Sequence, residues 1–86
     1  MITHDEYGRP TTRLAENTVI YEYDASNNPI YLGKAPPGSS SKTDKSIWQI
    51  RKQTYDASNN LTRIEYANGS REFNFIWDNR ASLSYS

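Results

Sequence analysis

Apolar and polar residues alternate in five short runs along this chain, and turn-forming segments separate the runs. A period of two is the pattern of a β-strand that has one buried face. The runs comprise residues 18–24, 30–34, 47–55, 61–66 and 71–77. We therefore predict an all-β fold in which an antiparallel hairpin precedes a three-stranded meander over 47–77. The strands are expected to form a small sandwich or an open barrel.

Two of the connections contain the same hexapeptide, Tyr-Asp-Ala-Ser-Asn-Asn, at 23–28 and 55–60. Asp, Ser and Asn side chains bond to nearby backbone groups, and Asn tolerates the left-handed region. Both copies are therefore predicted to be hairpin loops that contain a left-handed Asn. A calcium loop fits the sequence poorly, because the required Gly and bidentate Glu are missing at the right spacing. A third hairpin is predicted at Asn68-Gly69, the strongest short-range hairpin signal in the chain.

The last run places Phe73, Phe75 and Trp77 at alternate positions, which predicts that the three rings share one buried face. Residues 17–86 are expected to form a single small β domain. Its Pro/Gly/Ser loop at 35–46 is either a flexible connection or an ordered excursion that packs on a neighbour. Residues 1–16 lack sustained periodicity and contain Gly8 and Pro10, so we expect an N-terminal arm that extends onto a neighbour.

Composition limits the chemistry that this chain can carry. Among 86 residues, 35% are hydrophobic, and there is no cysteine and a single histidine. Disulfides and multi-histidine or cysteine metal sites are therefore excluded, and no cofactor is expected. So thin a core predicts self-association, with a closed oligomer as the expected form.

Charge and hydropathy bear on possible partners. Ten Lys and Arg balance ten Asp and Glu, which disfavours nucleic acid, whose binding needs clustered positive charge. No apolar run approaches the length of a membrane span, about 20 residues, so no membrane partner is expected.

Enzymatic activity is not predicted. The segment Gly33-Lys34-Ala35-Pro36-Pro37-Gly38 lacks the spacing of a phosphate-binding loop and its Lys-Ser/Thr pair. His4 lies on the expected arm, where a catalytic side chain would be hard to position.

Aromatic residues form 13% of the chain, and seven of them are tyrosines. Tyrosine and tryptophan suit interfaces, where one end of the side chain is dry and the other is wet. A glycan-binding platform is the alternative use of the same side chains. The candidate partner contacts are Tyr7, Tyr21, Tyr23, Tyr31, Trp48, Arg80 and Tyr85.

The C-terminal segment also alternates, since Ala81, Leu83 and Tyr85 share one face of an extended chain. Two outcomes are equally expected. The segment either completes the sheet of its own domain or remains a free edge strand that adds to the sheet of a partner.

Four motifs of this chain resemble a group of short proteins encoded in the structural gene regions of tailed bacteriophages. The group shares a GKAxPG loop, a Trp-x-Ile-x-Lys strand, an aromatic-Ala-Asp/Asn-Gly turn and a WDNRASLSYS-type end. These motifs correspond here to residues 33–38, 48–52, 66–69 and 77–86, and the resemblance covers 30–86. Residues 55–64 also resemble a single YD-repeat unit. Because only two copies exist and the first has Pro29-Ile30 in place of Leu-Thr, we interpret that likeness as shared hairpin chemistry.

The phage resemblance implies a multi-copy virion structural protein that is assembled in the cytoplasm of the bacterial host. A tail-associated or fibre-attachment role is favoured, and capsid decoration is the alternative. The implied partners are tail, fibre or major capsid proteins, together with further copies of the chain.

Overall fold

The structure is a computed structural model that describes the backbone of residues 2–4, 10–12 and 16–86, and the side chains from residue 16 onward. The described part is antiparallel β-sheet with one short helix, so the predicted all-β fold is confirmed. The strands are β1 (Ile2–His4), β2 (Pro10–Thr12), β3 (Thr18–Tyr23), β4 (Pro29–Ala35), β5 (Ser46–Tyr55), β6 (Leu61–Tyr66) and β7 (Phe75–Ile76). A 3₁₀ helix follows at Trp77–Ser82.

The main sheet has the strand order β3-β4-β5-β6, and β7 pairs with the first part of β5. Every neighbouring pair is antiparallel, and the sheet does not close, because β3 and β6 lie at opposite edges. β1 and β2 pair with each other in a separate two-stranded sheet within the segment predicted as an arm.

The predicted three-stranded meander is wrong in its last strand. The Asn68-Gly69 turn does form, with positive φ at both residues. However, the chain after it does not pair with β6, because the outer edge of Tyr66 is bonded to Ser86 in both directions. The chain makes an irregular excursion and then joins β5 through Phe75 and Ile76. β6 and β7 therefore lie along the same edge of β5, because β4 occupies the other edge.

The same excursion corrects the predicted aromatic face. Trp77 is buried and Phe75 packs on the core, but Phe73 is 42% exposed. Phe73 belongs to the irregular segment before β7, so it does not take part in the strand alternation on which the prediction rested.

The loop between β4 and β5 is ordered by contacts with its own domain. The backbone N–H of Ser39 donates to Thr18 Oγ1, and the indole Nε1 of Trp48 donates to the carbonyl oxygen of Lys42 at 2.9 Å. The backbone N–H of Asp78 donates to the carbonyl oxygen of Thr43. The loop is therefore an ordered excursion and not a flexible connection. It packs on its own domain instead of on a neighbour, and it accepts the hydrogen bond of the buried Trp48 indole.

The core lies between one face of the sheet and the helix, and its buried cluster comprises Ala35, Trp48, Ile50, Ala67 and Trp77. The rings of Trp48 and Trp77 lie with their centroids 6.1 Å apart. Gly33 permits this packing, because a Cβ atom there would lie 2.5 Å from Trp77 Cε3.

The C-terminal segment completes the sheet of its own domain, which decides between the two expected outcomes. Ala67 forms an antiparallel bridge with Tyr85, and the N–H of Asn68 donates to the carbonyl oxygen of Ser84. The segment 80–82 is helical, so the predicted alternation holds only for Leu83 and Tyr85, which pack against the core. We call residues 77–86 the C-terminal clasp.

Candidate interaction surface

The two hexapeptide loops have the same geometry. In the first, Asp24 Oδ1 accepts hydrogen bonds from the backbone N–H groups of Ser26 and Asn28. In the second, Asp56 Oδ1 accepts the corresponding bonds, from residues 58 and 60. The fifth residue of each copy, Asn27 and Asn59, has a φ of 63°. The prediction of hairpin loops with a left-handed Asn is confirmed.

The hydrogen bonds of the second loop affect its acidic group. The pKa of Asp56 is lowered, chiefly by the hydrogen bond from the backbone N–H of Asn60. Desolvation acts in the opposite direction, and the hydrogen bonds from the Asn60 side chain and the Ser58 N–H lower the pKa further. These donors stabilise the ionised carboxylate. Within the described residues, no group of three His, Cys, Asp or Glu side chains is arranged to hold a metal ion.

The loops lie side by side, because β4 and β5 pair directly and both hairpins turn at the same end of the sheet. The side-chain Nδ2 of Asn28 donates to Asn59 Oδ1 at 2.9 Å. Beside this contact is an open groove of about 510 Å³, lined in part by Asp24, Tyr31, Lys52, Tyr55 and Asp56. The polar lining makes the groove suited to a hydrophilic ligand rather than an apolar one.

Exposed apolar side chains are concentrated on the two edge strands of the sheet. Five of the six large hydrophobic side chains that are exposed in the described part lie there. They are Val19, Tyr21 and Tyr23 on β3, and Leu61 and Ile64 on β6. The rings of Tyr21 and Tyr23 are neighbours, with centroids 5.9 Å apart. These side chains and the backbone edges beside them are the main candidate surface for binding another protein.

The candidate partner contacts predicted from the sequence do not form one patch. Tyr21 and Tyr23 are half exposed on β3, whereas Trp48 is fully buried in the core and cannot reach a partner. Tyr31 and Tyr85 are half-buried and pack on each other, with ring centroids 5.7 Å apart. Tyr7 lies outside the described residues.

Arg80 is committed to contacts within the domain. Its Nε donates to Glu22 Oε1 at 2.6 Å, and its guanidinium carbon lies 4.6 Å from the centroid of the Trp77 ring. The hydroxyl of Tyr85 donates to the carbonyl oxygen of Arg80 at 2.7 Å. Burial, together with the nearby Tyr31, raises the pKa of Tyr85 to about 12, although Arg80 acts in the opposite direction. Both side chains therefore hold the clasp on the sheet.

Sequence reasoning missed the contact between the two loops and the edge positions of Leu61 and Ile64. The contact between the loops could have been predicted from the two identical hexapeptides, because neighbouring hairpins of an antiparallel sheet turn at the same end. The edge positions of Leu61 and Ile64 could not, because they depend on the strand order, which the alternation of residues does not contain.

No family model, curated protein or solved structure matches this chain. Within the part of the chain that the structure describes, no helix has the length and apolar character needed to cross a membrane.

Proposed function

We propose that this protein is a multi-copy structural protein of a tailed-phage virion, in a tail-associated or fibre-attachment role, without catalytic activity. Its partners are tail or fibre proteins and further copies of itself. Capsid decoration, with the major capsid protein as the partner, is the alternative location for the same kind of role.

The observation that carries the proposal is the convergence of the four motifs that resemble phage proteins. Every member of the buried cluster belongs to one of them: Ala35 to the first, Trp48 and Ile50 to the second, Ala67 to the third and Trp77 to the fourth. Because the four motifs contribute to one core, the resemblance concerns the whole fold. It supports the proposal more strongly than a resemblance limited to scattered surface residues would. Because these residues serve packing, the binding role falls to side chains outside the cluster.

The exposed surface supports a role in binding other proteins. Tyr21 and Tyr23 are 50% and 54% exposed and lie on an edge strand with an unpaired backbone edge among the described residues. Tyrosines beside a free strand edge offer both apolar area and hydrogen-bonding groups to a partner. On the virion, such a surface would be covered by a neighbouring subunit.

A second candidate function is a glycan-binding module at the host surface. The groove beside the two loops favours it, because Tyr31 and Tyr55 line it together with the carboxylates of Asp24 and Asp56. Aromatic and acidic side chains in one open groove suit a polyhydroxylated ligand. Binding to an array of glycans that is lost in Asp56→Ala but kept in Asp44→Ala would favour this function.

The test of the virion role is quantitative mass spectrometry of purified particles, followed by imaging of the particle. We expect the protein in a fixed number of copies per particle, with its density at the tail or fibre base. Density on the capsid surface would move the protein to the alternative role, and absence from washed particles would refute both.

A deletion separates folding from attachment. Residues 1–12 belong to the segment expected to be an arm outside the folded domain, so their removal should leave the circular-dichroism spectrum and the melting temperature nearly unchanged. Incorporation into particles should fall, because the arm is expected to reach a neighbour. Normal incorporation of the shortened protein would exclude the arm as an attachment element.

A further inference from the structure

The contact between the two hairpins inside this chain is a template for a contact between two copies of the chain. At the β4–β5 junction, the sixth residue of one hexapeptide, Asn28, bonds to the fifth residue of the next, Asn59. Each hexapeptide has one further Asn that does not take part in this contact. They are Asn27, the fifth residue of the first hexapeptide, which lies beside the β3 edge, and Asn60, the sixth residue of the second, which lies beside the β6 edge. One copy therefore carries at its two edges the two halves of a contact that it already makes internally.

The strand directions allow the sheet to continue from one copy to the next. β6 runs in the same direction as β4, and β3 in the same direction as β5, because neighbours alternate throughout the sheet. The β3 strand of a second copy would thus lie antiparallel to β6, as β5 lies antiparallel to β4. All hexapeptide loops would then lie at the same end of the extended sheet.

The repeat spacing of 32 residues also sets the register. The internal junction pairs Leu32 with Arg51, and the corresponding residues at the open edges are Ile64 of one copy and Val19 of the next. These side chains are 44% and 39% exposed, so the pairing would bury two apolar groups that now face water.

The backbone groups of these residues point in the required direction. The N–H of Ala67 donates to the carbonyl oxygen of Ile50, so residue 67 faces β5 while Tyr66 faces outward to Ser86. Alternation then turns the N–H and C=O groups of Ile64 outward as well. The first hairpin has the same register as the second, with Glu22 opposite Tyr31 as Thr54 lies opposite Arg63. The same alternation therefore turns the backbone groups of Val19 away from β4 and outward.

We propose that copies of this chain associate head to tail by pairing the β6 edge of one copy with the β3 edge of the next, with Ile64 opposite Val19 and Asn60 bonded to Asn27. The proposal rests on the self-association part of the proposed function and specifies its geometry. Ser86 already covers the edge at Tyr66, so the contact is limited to residues 61–65 of β6. Because the two edges are different surfaces, the contact does not close on a twofold axis, and it produces a row of copies in place of the closed oligomer that the thin core led us to expect.

The charge of the chain is compatible with such a row. Ten Lys and Arg against ten Asp and Glu leave no net charge to repel successive copies. A contact of four or five residue pairs is small, so we expect weak association in dilute solution and extended association at high local concentration.

Two lysine substitutions test the proposal, because a charge on an edge strand opposes pairing. Val19→Lys blocks the β3 edge, Ile64→Lys blocks the β6 edge, and Phe73→Lys is the matched control at an exposed apolar residue outside both edges. In light scattering and sedimentation over a range of concentrations, the wild type and Phe73→Lys should grow in mass beyond a dimer. Each edge variant alone should remain monomeric, with an apparent Kd raised about tenfold or more.

A mixture of the two edge variants gives the decisive result. It contains one intact β6 edge and one intact β3 edge, so its mass should rise twofold and stop at the dimer. A mixture that stays monomeric, or an edge variant that assembles as the wild type does, would overturn the proposal. An interface made of two β3 edges would also overturn it, and it would be recognised by dimers of Ile64→Lys alone.

A cross-link tests the register without relying on lost assembly. The chain has no cysteine, and directly opposed hydrogen-bonded residues of antiparallel strands lie about 5.5 Å apart at Cα, within the range of a disulfide. Val19→Cys combined with Ile64→Cys should give oxidised multimers, whereas Val19→Cys combined with Phe73→Cys should not. A protein that enters virions without forming this cross-link would refute the head-to-tail contact alone. A protein that forms it in solution but is absent from virions would refute the proposed virion role alone.

Discussion

The hexapeptide loops and the C-terminal clasp are held in place by contacts of different range. Each loop is closed by hydrogen bonds between residues two to four positions apart, such as those that Asp24 and Asp56 accept. The clasp is held by contacts such as that of Arg80 with Glu22, which lie 58 positions apart. Two copies of a short-range motif adopt one geometry in two places, whereas the clasp depends on the whole sheet being present.

This difference predicts how the two regions respond to mutation. A change in the clasp should destabilise the entire domain, because its contacts connect the helix to β3, β4 and β5. A change in a loop should have a small and local effect, and the same change should cost nearly the same in both copies except where the loops touch.

The largest effect is expected for Trp77→Ala. Trp77 is 6% exposed and packs on Trp48 and Gly33. Its loss leaves a cavity in a small core and should cost about 3–5 kcal/mol, enough to unfold most of the protein. Thermal unfolding measures the effect, with the exposed Phe73→Ala as the control. A shift of only a degree or two would show that the clasp does not carry the stability of the domain.

Gly33→Ala should be the next most damaging change. The added Cβ would lie 2.5 Å from Trp77 Cε3 and 3.1 Å from Trp48 Cε3, and both rings belong to the buried cluster. Overpacking of this kind costs about 1–3 kcal/mol. The control is Gly38→Ala, where φ is +83° and no atom lies within 4 Å of the added Cβ. If both variants lose the same free energy of unfolding in chemical denaturation, the contact of the added Cβ with the Trp77 ring does not explain the effect of Gly33→Ala.

Alkaline pH should loosen the clasp through Tyr85. The pKa of its hydroxyl is raised from 10.0 to about 12 in the folded protein, so the unfolded chain loses this proton first. The stabilising contribution is complete below pH 10 and is lost as the pH rises to about 12. Tyr85→Phe should therefore unfold with a weaker pH dependence between pH 10 and pH 12 than the wild type. Parallel curves of melting temperature against pH would contradict this account.

The smallest expected effect distinguishes the two loops. Asn28→Ala removes two side-chain hydrogen bonds, one to Asn59 and a weaker one to Asp24. Asn60→Ala removes only one, the corresponding bond to Asp56. Asn28→Ala should therefore be more destabilising by about 0.5 kcal/mol, since both loops are largely exposed. Denaturation curves of the two variants, measured in monomeric samples, test the difference. If they coincide, the contact between the loops contributes nothing to stability.

Local chemistry accounts for the parts of the fold that were predicted correctly. The strands β3 to β6 and both hexapeptide loops follow from alternation, β-propensity and Asx turns, which act over a few residues. The same local rule produced the Asn68-Gly69 turn, but the hairpin that it predicts does not form. The outer edge of β6 at Tyr66 is occupied by Ser86 instead, and competition between two segments for one edge cannot be read from either segment alone.

The candidate partner contacts were also predicted only in part. Tyr21 and Tyr23 were predicted as contacts and are exposed, whereas Trp48 was predicted as a contact and is buried. Tyrosine and tryptophan have the same interface preference. Their roles differ here because Trp48 packs against Trp77 and donates its indole N–H to the carbonyl oxygen of Lys42 in the loop between β4 and β5. The apolar groups of β6 became candidates only once β6 was found at an edge.

The amino-acid sequence by itself determined the all-β character, the strands β3 to β6, the geometry of the hexapeptide loops and the exclusion of cysteine chemistry, because these depend on residue type and short spacing. The tertiary structure alone decided which segment occupies each strand edge, how Gly33 admits the Trp77 ring, and which aromatic side chains remain at the surface. These features depend on contacts between residues tens of positions apart, and many different folds are compatible with the same local pattern until those contacts form.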